Sequence, residues 1–245
     1  MEKQISLSIS ALIILSVFIY FFIYLFSKRR YENLEYKIKQ YVPSGGGVLS
    51  RFYEKVYRFF GGYIEWLTLP FEKIENPTLL TFLGLFFGVI SGVFFGLSLT
   101  SVATFFIILC GVLDLADGKI ARKIGKVSKS GAFLDSVSDR ITEISMFIGL
   151  SVGLLKEFFL VPIIAMSLSF LVSYVRARGE GLGLCVKGGI MRRQERLVIL
   201  GIFSLIDGVF ALEGKLVFAG VCVIAFGSLV TALMRIIEVV QAVNK

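Results

Sequence analysis

The feature that most constrains this chain is a series of apolar stretches, most of them about 20 residues long. A helix of about 20 residues crosses a hydrocarbon core of about 30 Å. Hydrophobic residues make up 56% of the 245 residues, and 24 residues are Phe, which is too apolar for a soluble domain. We therefore predict an all-α, polytopic membrane helix bundle. The predicted spans are at about 5–26, 79–99, 102–124, 131–154, 158–175, 197–210 and 216–239.

The amino-terminal part of the chain has a character of its own. Its apolar stretch at 5–26 is longer than a signal-peptide core and has no small-residue cleavage site, so it is predicted to be a retained membrane anchor. From 49 to 71, apolar and aromatic residues alternate with charged ones at helical spacing, which is typical of an interfacial amphipathic helix. We predict an amino-terminal segment, 1–75, containing one extra transmembrane helix and the interfacial helix. The membrane domain, 76–245, contains six core transmembrane helices.

Basic residues fall on alternate connections between the predicted spans. The connections at 119–130 and 176–196 are rich in Lys and Arg, whereas those at 99–101, 154–158 and 211–215 are almost uncharged. Only Lys3, Lys156 and Lys215 of the 26 basic residues lie on the opposite side. The positive-inside rule then predicts a multi-pass protein of the plasma or inner membrane with its carboxyl terminus in the cytoplasm. Topology and attraction to anionic membrane lipid explain the net charge of +8, so no nucleic-acid partner is expected.

Four aspartates occupy two neighbouring spans. Asp114 and Asp117 are three residues apart, and Asp135 and Asp139 are four apart, so each pair projects from one face of its helix. The basic hairpin between the two spans makes the pairs face each other near the cytoplasmic side. Charged groups inside spans cost roughly 2.5 to 3.5 kcal/mol each on insertion scales, which makes them candidates for function.

A group of four carboxylates requires positive charge nearby. The chain has no His, and its three Cys residues are isolated, so neither a zinc site nor a disulfide framework is expected. Oxygen ligands select hard ions such as Mg²⁺, Mn²⁺ or Ca²⁺, and two such ions suit displacement at phosphorus. The structural alternative is an Asp–Arg network, with Arg122 and Arg140 as partners, that only holds the helices together.

Small and basic residues surround these aspartates. Gly118 and Ala121 follow the first pair, and Gly131 opens the next helix. Small side chains allow a ligand to approach closely, and close helix packing explains them equally well. Arg122 and Ser128 are candidates to bind phosphate oxygens.

A second basic group lies at the same membrane face, between residues 176 and 196. It is either a topological loop or a pocket for a phosphorylated acceptor. The candidate phosphate-binding residues in it are Arg176, Arg178, Arg193 and Arg196.

The segment from Asp114 to Asp139, DLADGKIARKIGKVSKSGAFLDSVSD, resembles the motif of the CDP-alcohol phosphotransferase family. That motif reads D-x-x-D-G-x-x-A-R, followed by G-x-x-x-D-x-x-x-D. The resemblance extends from Asn76 to the carboxyl terminus. It implies a metal-dependent enzyme, usually a homodimer with six core helices. Such enzymes move a phosphatidyl-type group, built on diacylglycerol or archaeol, from a CDP-linked lipid to an alcohol and release CMP.

The resemblance also implies residue roles. Asp114, Asp117 and Asp135 would ligate two Mg²⁺ or Mn²⁺ ions, with Asp139 as a further ligand and as the general base. The segment from Pro77 to Thr81, PTLLT, resembles the P-N-x-[LI]-T start of the first core helix, with Thr78 in place of Asn. The implied donor-binding residues are Thr78, Thr81, Asp117, Gly118, Ala121, Arg122, Ser128 and Gly131.

Two further strings, SYVRARGE and RRQER, resemble the branch that makes phosphatidylinositol phosphate or archaetidylinositol phosphate. Gly179 and Arg192 depart from that branch's pattern, which has Ala and Glu there. The resemblance implies inositol phosphate as acceptor, and glycerol 3-phosphate is the alternative. The non-enzyme alternative is a divalent-cation transporter, which would have acids near the midplane and inverted repeats.

Overall fold

The structure is a computed structural model that describes residues 68–186 and 188–244, and the regular structure in these ranges is entirely helical. The anchor predicted at 5–26 and most of the interfacial segment predicted at 49–71 lie outside the described residues. A short 3-10 helix, Leu69–Lys73, precedes the α-helices. These are α1 (Pro77–Gly96), α2 (Thr100–Lys123), α3 (Lys129–Val152), α4 (Leu160–Gly181), α5 (Arg193–Phe210) and α6 (Lys215–Val243).

Four of these helices are long and apolar enough to cross a membrane, namely α1, α2, α4 and α6. The other two carry more charge, because α3 contains two aspartates, Arg140 and Glu143, and α5 begins with charged residues and has only 18 residues. Both pack among the apolar helices, α3 against α1 and α4, and α5 against α2 and α6. The prediction of an all-helical, membrane-embedded bundle is therefore confirmed.

The two basic connections are shorter than the sequence predicted. Helix α2 continues to residue 123 and α3 begins at 129, so the connection comprises 124–128 rather than 119–130. Likewise α4 continues to 181 and α5 begins at 193, so the connection comprises 182–192 rather than 176–196. Lys and Arg are good helix formers, and their long side chains place the charge beyond the apolar layer while the backbone stays helical.

Polar side chains fix the ends of several helices. Asn76 and Ser128 are the N-caps of α1 and α3, where their side chains accept hydrogen bonds from Leu79 N at 3.3 Å and Gly131 N at 3.0 Å. At the opposite end of the bundle, the buried carboxylate of Asp207 in α5 accepts from two backbone N–H groups, at 2.9 and 3.0 Å, where α6 begins. These bonds satisfy backbone donors that have no partner within their own helix.

Close contacts bring α1 against both α2 and α3. Ser91 Oγ donates to the carbonyl oxygen of Ala103 on α2 at 3.0 Å. On the other side, a Cβ atom on Gly149 of α3 would overlap the carbonyl oxygen of Gly92. Helix α1 therefore lies between α2 and α3 and holds both in place. The main core is formed by Phe95, Ala103, Ile107, Met146, Phe147, Leu150, Leu155, Ala165, Leu200, Val217, Val221 and Ile224.

Candidate active site

Three of the four predicted aspartates come together from α2 and α3, beside α1. Asp114 on α2, together with Asp135 and Asp139 on α3, offers a carboxylate oxygen within 4.8 Å of those of the other two. All three side chains are half-buried. The prediction that the aspartates of the two helices face each other is confirmed for these three residues.

Asp117 lies beside this group and is held by α1. The hydroxyl of Thr81 donates to Asp117 Oδ2 at 2.6 Å, and Asp117 is buried. Thr81 and all four aspartates line the same cleft. Asp117 therefore lies in the same cleft, and its hydrogen bond joins it to α1.

Arg193, the first residue of α5, extends into the aspartate group. Its Nη1 atom donates to Asp114 Oδ1 at 3.0 Å and lies 2.7 Å from Asp139 Oδ1. Its buried Nε has no hydrogen-bond partner in the described part of the chain. Arg140, one of the two arginines in the structural alternative, lies farther from Asp139 than Arg193 does, with Nη2 3.9 Å from Asp139 Oδ2. The arginine that contacts two of the aspartates thus comes from α5, a region that the sequence placed at the same membrane face but did not pair with them.

A buried charge network lies behind the cleft. Glu143, one turn after Asp139 on α3, accepts from Arg196 Nε at 2.5 Å and Nη2 at 3.0 Å. It also accepts from Arg140 Nη1 at 3.2 Å, and the same nitrogen donates to Ser173 Oγ on α4 at 2.6 Å. The network ties α3 to α4 and α5. Sequence reasoning missed Glu143, although its place inside a span and its spacing of four residues from Asp139 could have indicated it.

The predicted donor-binding residues divide into two groups. Thr81 and Asp117 line the cleft. The others are not among the residues that line it, and some of them have local roles. Ser128 caps α3. A Cβ on Gly118 would lie 3.3 Å from Arg122 Nη1, so the Arg122 guanidinium lies over that glycine. The remaining residues of this second group are Thr78, Ala121 and Gly131.

Of the four predicted acceptor-binding arginines, Arg193 and Arg196 line one cavity, whereas Arg176 and Arg178 do not. Within the described residues, Arg193 is the one of the four that lines the cleft. Arg196 is buried in the ion pair behind it and lines a neighbouring cavity. Arg176 pairs with Glu180 at 2.8 Å on the exposed end of α4, where Arg178 is also exposed.

Residues that the sequence reasoning did not select complete the cleft. Ser138 and Thr142 follow Asp135 at three and seven residues, so helical spacing could have placed them on the same face of α3. The further lining residues are Gly84, Leu85 and Cys110.

The donor set suits a hard divalent cation. Three carboxylate groups can each turn an oxygen toward a common point, and ligand sets made of carboxylates favour Mg²⁺ or Mn²⁺ over softer metals. The guanidinium of Arg193 beside them is a phosphate-binding group. A hard cation and a guanidinium in one cleft are the positive groups that displacement at phosphorus requires.

Comparisons with known proteins show which family the chain belongs to. The family model for CDP-alcohol phosphatidyltransferase matches residues 74–206, which include all four aspartates. The chain is 36% identical over 176 residues to a phosphatidylinositol phosphate synthase of Streptomyces avermitilis, covering 67% of this chain and 72% of the relative. It is 34% identical over 178 residues to an archaetidylinositol phosphate synthase of Pyrococcus horikoshii, covering 69% of this chain and 90% of the relative.

Solved structures show the same fold. The crystal structure of Mycobacterium tuberculosis phosphatidylinositol phosphate synthase with CDP-DAG bound matches with a TM-score of 0.64 and 25% identity. The match covers 70% of this chain and 92% of that chain. A second structure of that synthase, in complex with manganese and citrate, also matches with a TM-score of 0.64.

Proposed function

Because this chain belongs to the CDP-alcohol phosphatidyltransferase family, we propose that it transfers a phosphatidyl-type group from a CDP-linked lipid to inositol phosphate and releases CMP. The observation that carries the proposal is the contact of Arg193 with Asp114 and Asp139, because it places a phosphate-binding group directly at the catalytic carboxylates. The names of the two relatives favour inositol phosphate over glycerol 3-phosphate as the phosphorylated acceptor.

The aspartates are proposed to hold two Mg²⁺ or Mn²⁺ ions. Asp114, Asp135 and Asp139 form the group within 4.8 Å, and Asp117 lines the same cleft. When bound, such ions stabilise negative charge on phosphate oxygens. The manganese complex of the Mycobacterium tuberculosis synthase supports this proposal.

The chain's own side chains supply the remaining chemistry. Asp139 accepts the proton of the acceptor hydroxyl, and the resulting alkoxide attacks the phosphorus next to the lipid. The bond from that phosphorus to the CMP oxygen breaks, and CMP leaves. Arg193 holds the acceptor phosphate close to Asp139, and Thr81 fixes the orientation of Asp117 through their hydrogen bond.

The donor is proposed to lie along the end of α2 and the start of α3. The small side chains there leave room for cytidine, and the Arg122 guanidinium over Gly118 supports a phosphate contact at this point. The remaining proposed donor contacts are Thr78, Ala121, Ser128 and Gly131. The remaining proposed acceptor contacts are Arg176, Arg178 and Arg196.

We further propose the arrangement of the whole chain. Residues 76–245 form the catalytic domain with six core transmembrane helices, and 1–75 add an anchor helix and an interfacial helix. The basic helix ends that flank the connections at 124–128 and 182–192 lie at the same end of the bundle as the aspartates, which supports a cytoplasmic active site in the plasma or inner membrane. The resemblance to the family supports a homodimer.

Cation transport is less well supported by the structure. The aspartates lie in the last ten residues of α2 and the first eleven of α3, toward the end of the bundle rather than its centre. A conduction path would need acids near the middle of the membrane.

The test is an acceptor panel with purified protein. CDP-diacylglycerol or CDP-archaeol is incubated with Mg²⁺ or Mn²⁺ and with inositol 1-phosphate, glycerol 3-phosphate, serine or inositol. We expect CMP release with inositol 1-phosphate. Release with glycerol 3-phosphate instead would reassign the acceptor, and no release with any acceptor would reject the proposed function.

A further inference from the structure

The connection between α4 and α5 is bonded to α6 just before it leads into Arg193. Thr231 Oγ1 on α6 accepts from Met191 N at 2.9 Å and from Ile190 N at 3.2 Å. Thr231 is completely buried, so water does not replace this acceptor. Two successive backbone donors of the connection therefore depend on one hydroxyl group.

The same stretch is held from its other side. The carbonyl oxygen of Met191 accepts from Arg196 Nη1 at 3.0 Å, and Arg196 is itself fixed by Glu143 on α3. The Met191 side chain packs so tightly on α6 that a Cβ atom on Gly227 would overlap its Cε atom. The backbone at Met191 is thus fixed by α3, α5 and α6 together.

Helix α6 also forms hydrogen bonds with the connection at Gly188, three residues before Met191. Arg235 Nε donates to the carbonyl oxygen of Gly188 at 2.8 Å, and Gly188 N donates to Glu238 Oε2 at 2.9 Å. Arg235 Nη1 donates to the carbonyl oxygen of Val172 on α4 at 2.8 Å. Thr231, Arg235 and Glu238 are spaced by four and three residues, so they form one polar face of α6.

Arg193 follows Met191 by two residues and opens α5. Its reach to Asp114 and Asp139 depends on where α5 starts, and the bonds to Thr231 are the last that α6 makes to the chain before that start. We propose that Thr231 is a positioning residue that holds Arg193 in place for the acceptor phosphate. This inference rests on the proposed function, in which Arg193 binds that phosphate.

Two substitutions at Thr231 separate the hydroxyl from the shape of the side chain. Thr231→Val keeps the shape and removes the acceptor oxygen, whereas Thr231→Ser keeps the oxygen. We expect Thr231→Val to raise KM for inositol 1-phosphate about tenfold, equivalent to about 1.4 kcal/mol. We expect kcat and KM for CDP-diacylglycerol to change by less than about twofold, because a lost contact to one substrate raises only that KM. Thr231→Ser should behave as wild type.

Two further variants serve as comparisons. Ser228→Ala removes a buried hydroxyl from the same helix, one that faces Ser169 on α4 at 3.5 Å, and it should leave both KM values unchanged. Gly189→Ala disturbs the contact from the connection side, because Gly189 has φ +112° and its Cβ would overlap the Thr231 methyl group. It should raise KM for inositol 1-phosphate as Thr231→Val does.

An unchanged KM for inositol 1-phosphate in Thr231→Val, or the same increase in Thr231→Ser, would overturn the inference. If the wild-type protein releases no CMP with any acceptor, the proposed function fails separately. Hydrogen exchange of the backbone amides of 190–196 then tests the positioning role without turnover. We expect faster exchange in Thr231→Val and wild-type exchange in Thr231→Ser, and equal exchange in all three proteins would contradict the role.

Discussion

Removing one partner of the buried Glu143–Arg196 pair is expected to destabilise the protein more than removing both. The pair joins α3 to α5 through two hydrogen bonds of 2.5 and 3.0 Å, and the exposed fractions of the two side chains are 9% and 2%. Water does not reach these groups to compensate a lost partner. An unpaired buried charge costs about 3 to 5 kcal/mol, whereas an apolar pair of similar volume is often close to neutral.

The magnitudes follow from the contacts of each residue. Glu143→Met leaves the Arg196 guanidinium unpaired, so we expect a loss of about 3 kcal/mol in the free energy of unfolding. Arg196→Met leaves the Glu143 carboxylate paired only with Arg140 and also removes the bond to the Met191 carbonyl, so we expect a loss of about 4 kcal/mol. The double variant should lose only about 2 kcal/mol. It retains no buried charge from the pair, but the Met191 carbonyl and Arg140 have each lost a partner.

The assay is a double-mutant cycle in detergent micelles, with unfolding followed by circular dichroism. The exposed pair Arg176–Glu180 is a matched control, with exposed fractions of 53% and 49%, and methionine substitutions there should change the free energy of unfolding by less than about 1 kcal/mol. Additive effects of Glu143→Met and Arg196→Met would refute the reasoning. Additivity would mean that the two groups do not depend on each other in the folded protein.

Three other substitutions test separate parts of the account. Asp139→Asn should abolish CMP release while binding of CDP-lipid, measured by titration, stays close to wild type; retained turnover would reject Asp139 as the base. Gly149→Ala should lower the free energy of unfolding by about 1 to 3 kcal/mol, because its Cβ overlaps the Gly92 carbonyl. The control Gly111→Ala places its Cβ in open space and should be neutral when unfolding is followed by circular dichroism. Asp207→Ala should cost about 1 to 3 kcal/mol in that assay, because two backbone N–H groups at the start of α6 lose their acceptor, and wild-type stability would contradict this role.

Local patterns in the sequence predicted much of the fold and part of the site. Apolar stretches of sufficient length predicted the helices, because a helix in lipid must satisfy its own backbone groups. The spacings of three and four residues placed each aspartate pair on one helix face, and the short connection between α2 and α3 brought three of the four carboxylates together. These inferences needed only neighbours along the chain.

Contacts between distant residues were not predictable in the same way. Arg193 is 79 residues from Asp114, and Arg196 is 53 residues from Glu143. Which arginine reaches the aspartates depends on how α5 packs against α2, and the sequence shows no sign of that. The sequence therefore grouped Arg193 with Arg176, which faces outward on α4 and pairs with its own helix.

If aspartates on two helices form one site for hard cations, as we propose, the binding of Mn²⁺ measured by electron paramagnetic resonance depends on them. The purified protein is titrated with Mn²⁺ alongside Asp135→Asn and the control Asp207→Asn, which changes a buried carboxylate at the other end of the bundle. We predict saturable binding in the wild type and in Asp207→Asn, and at least a tenfold weaker affinity in Asp135→Asn, since a charged ligand is lost. Equal Mn²⁺ affinity in all three proteins would contradict the claim.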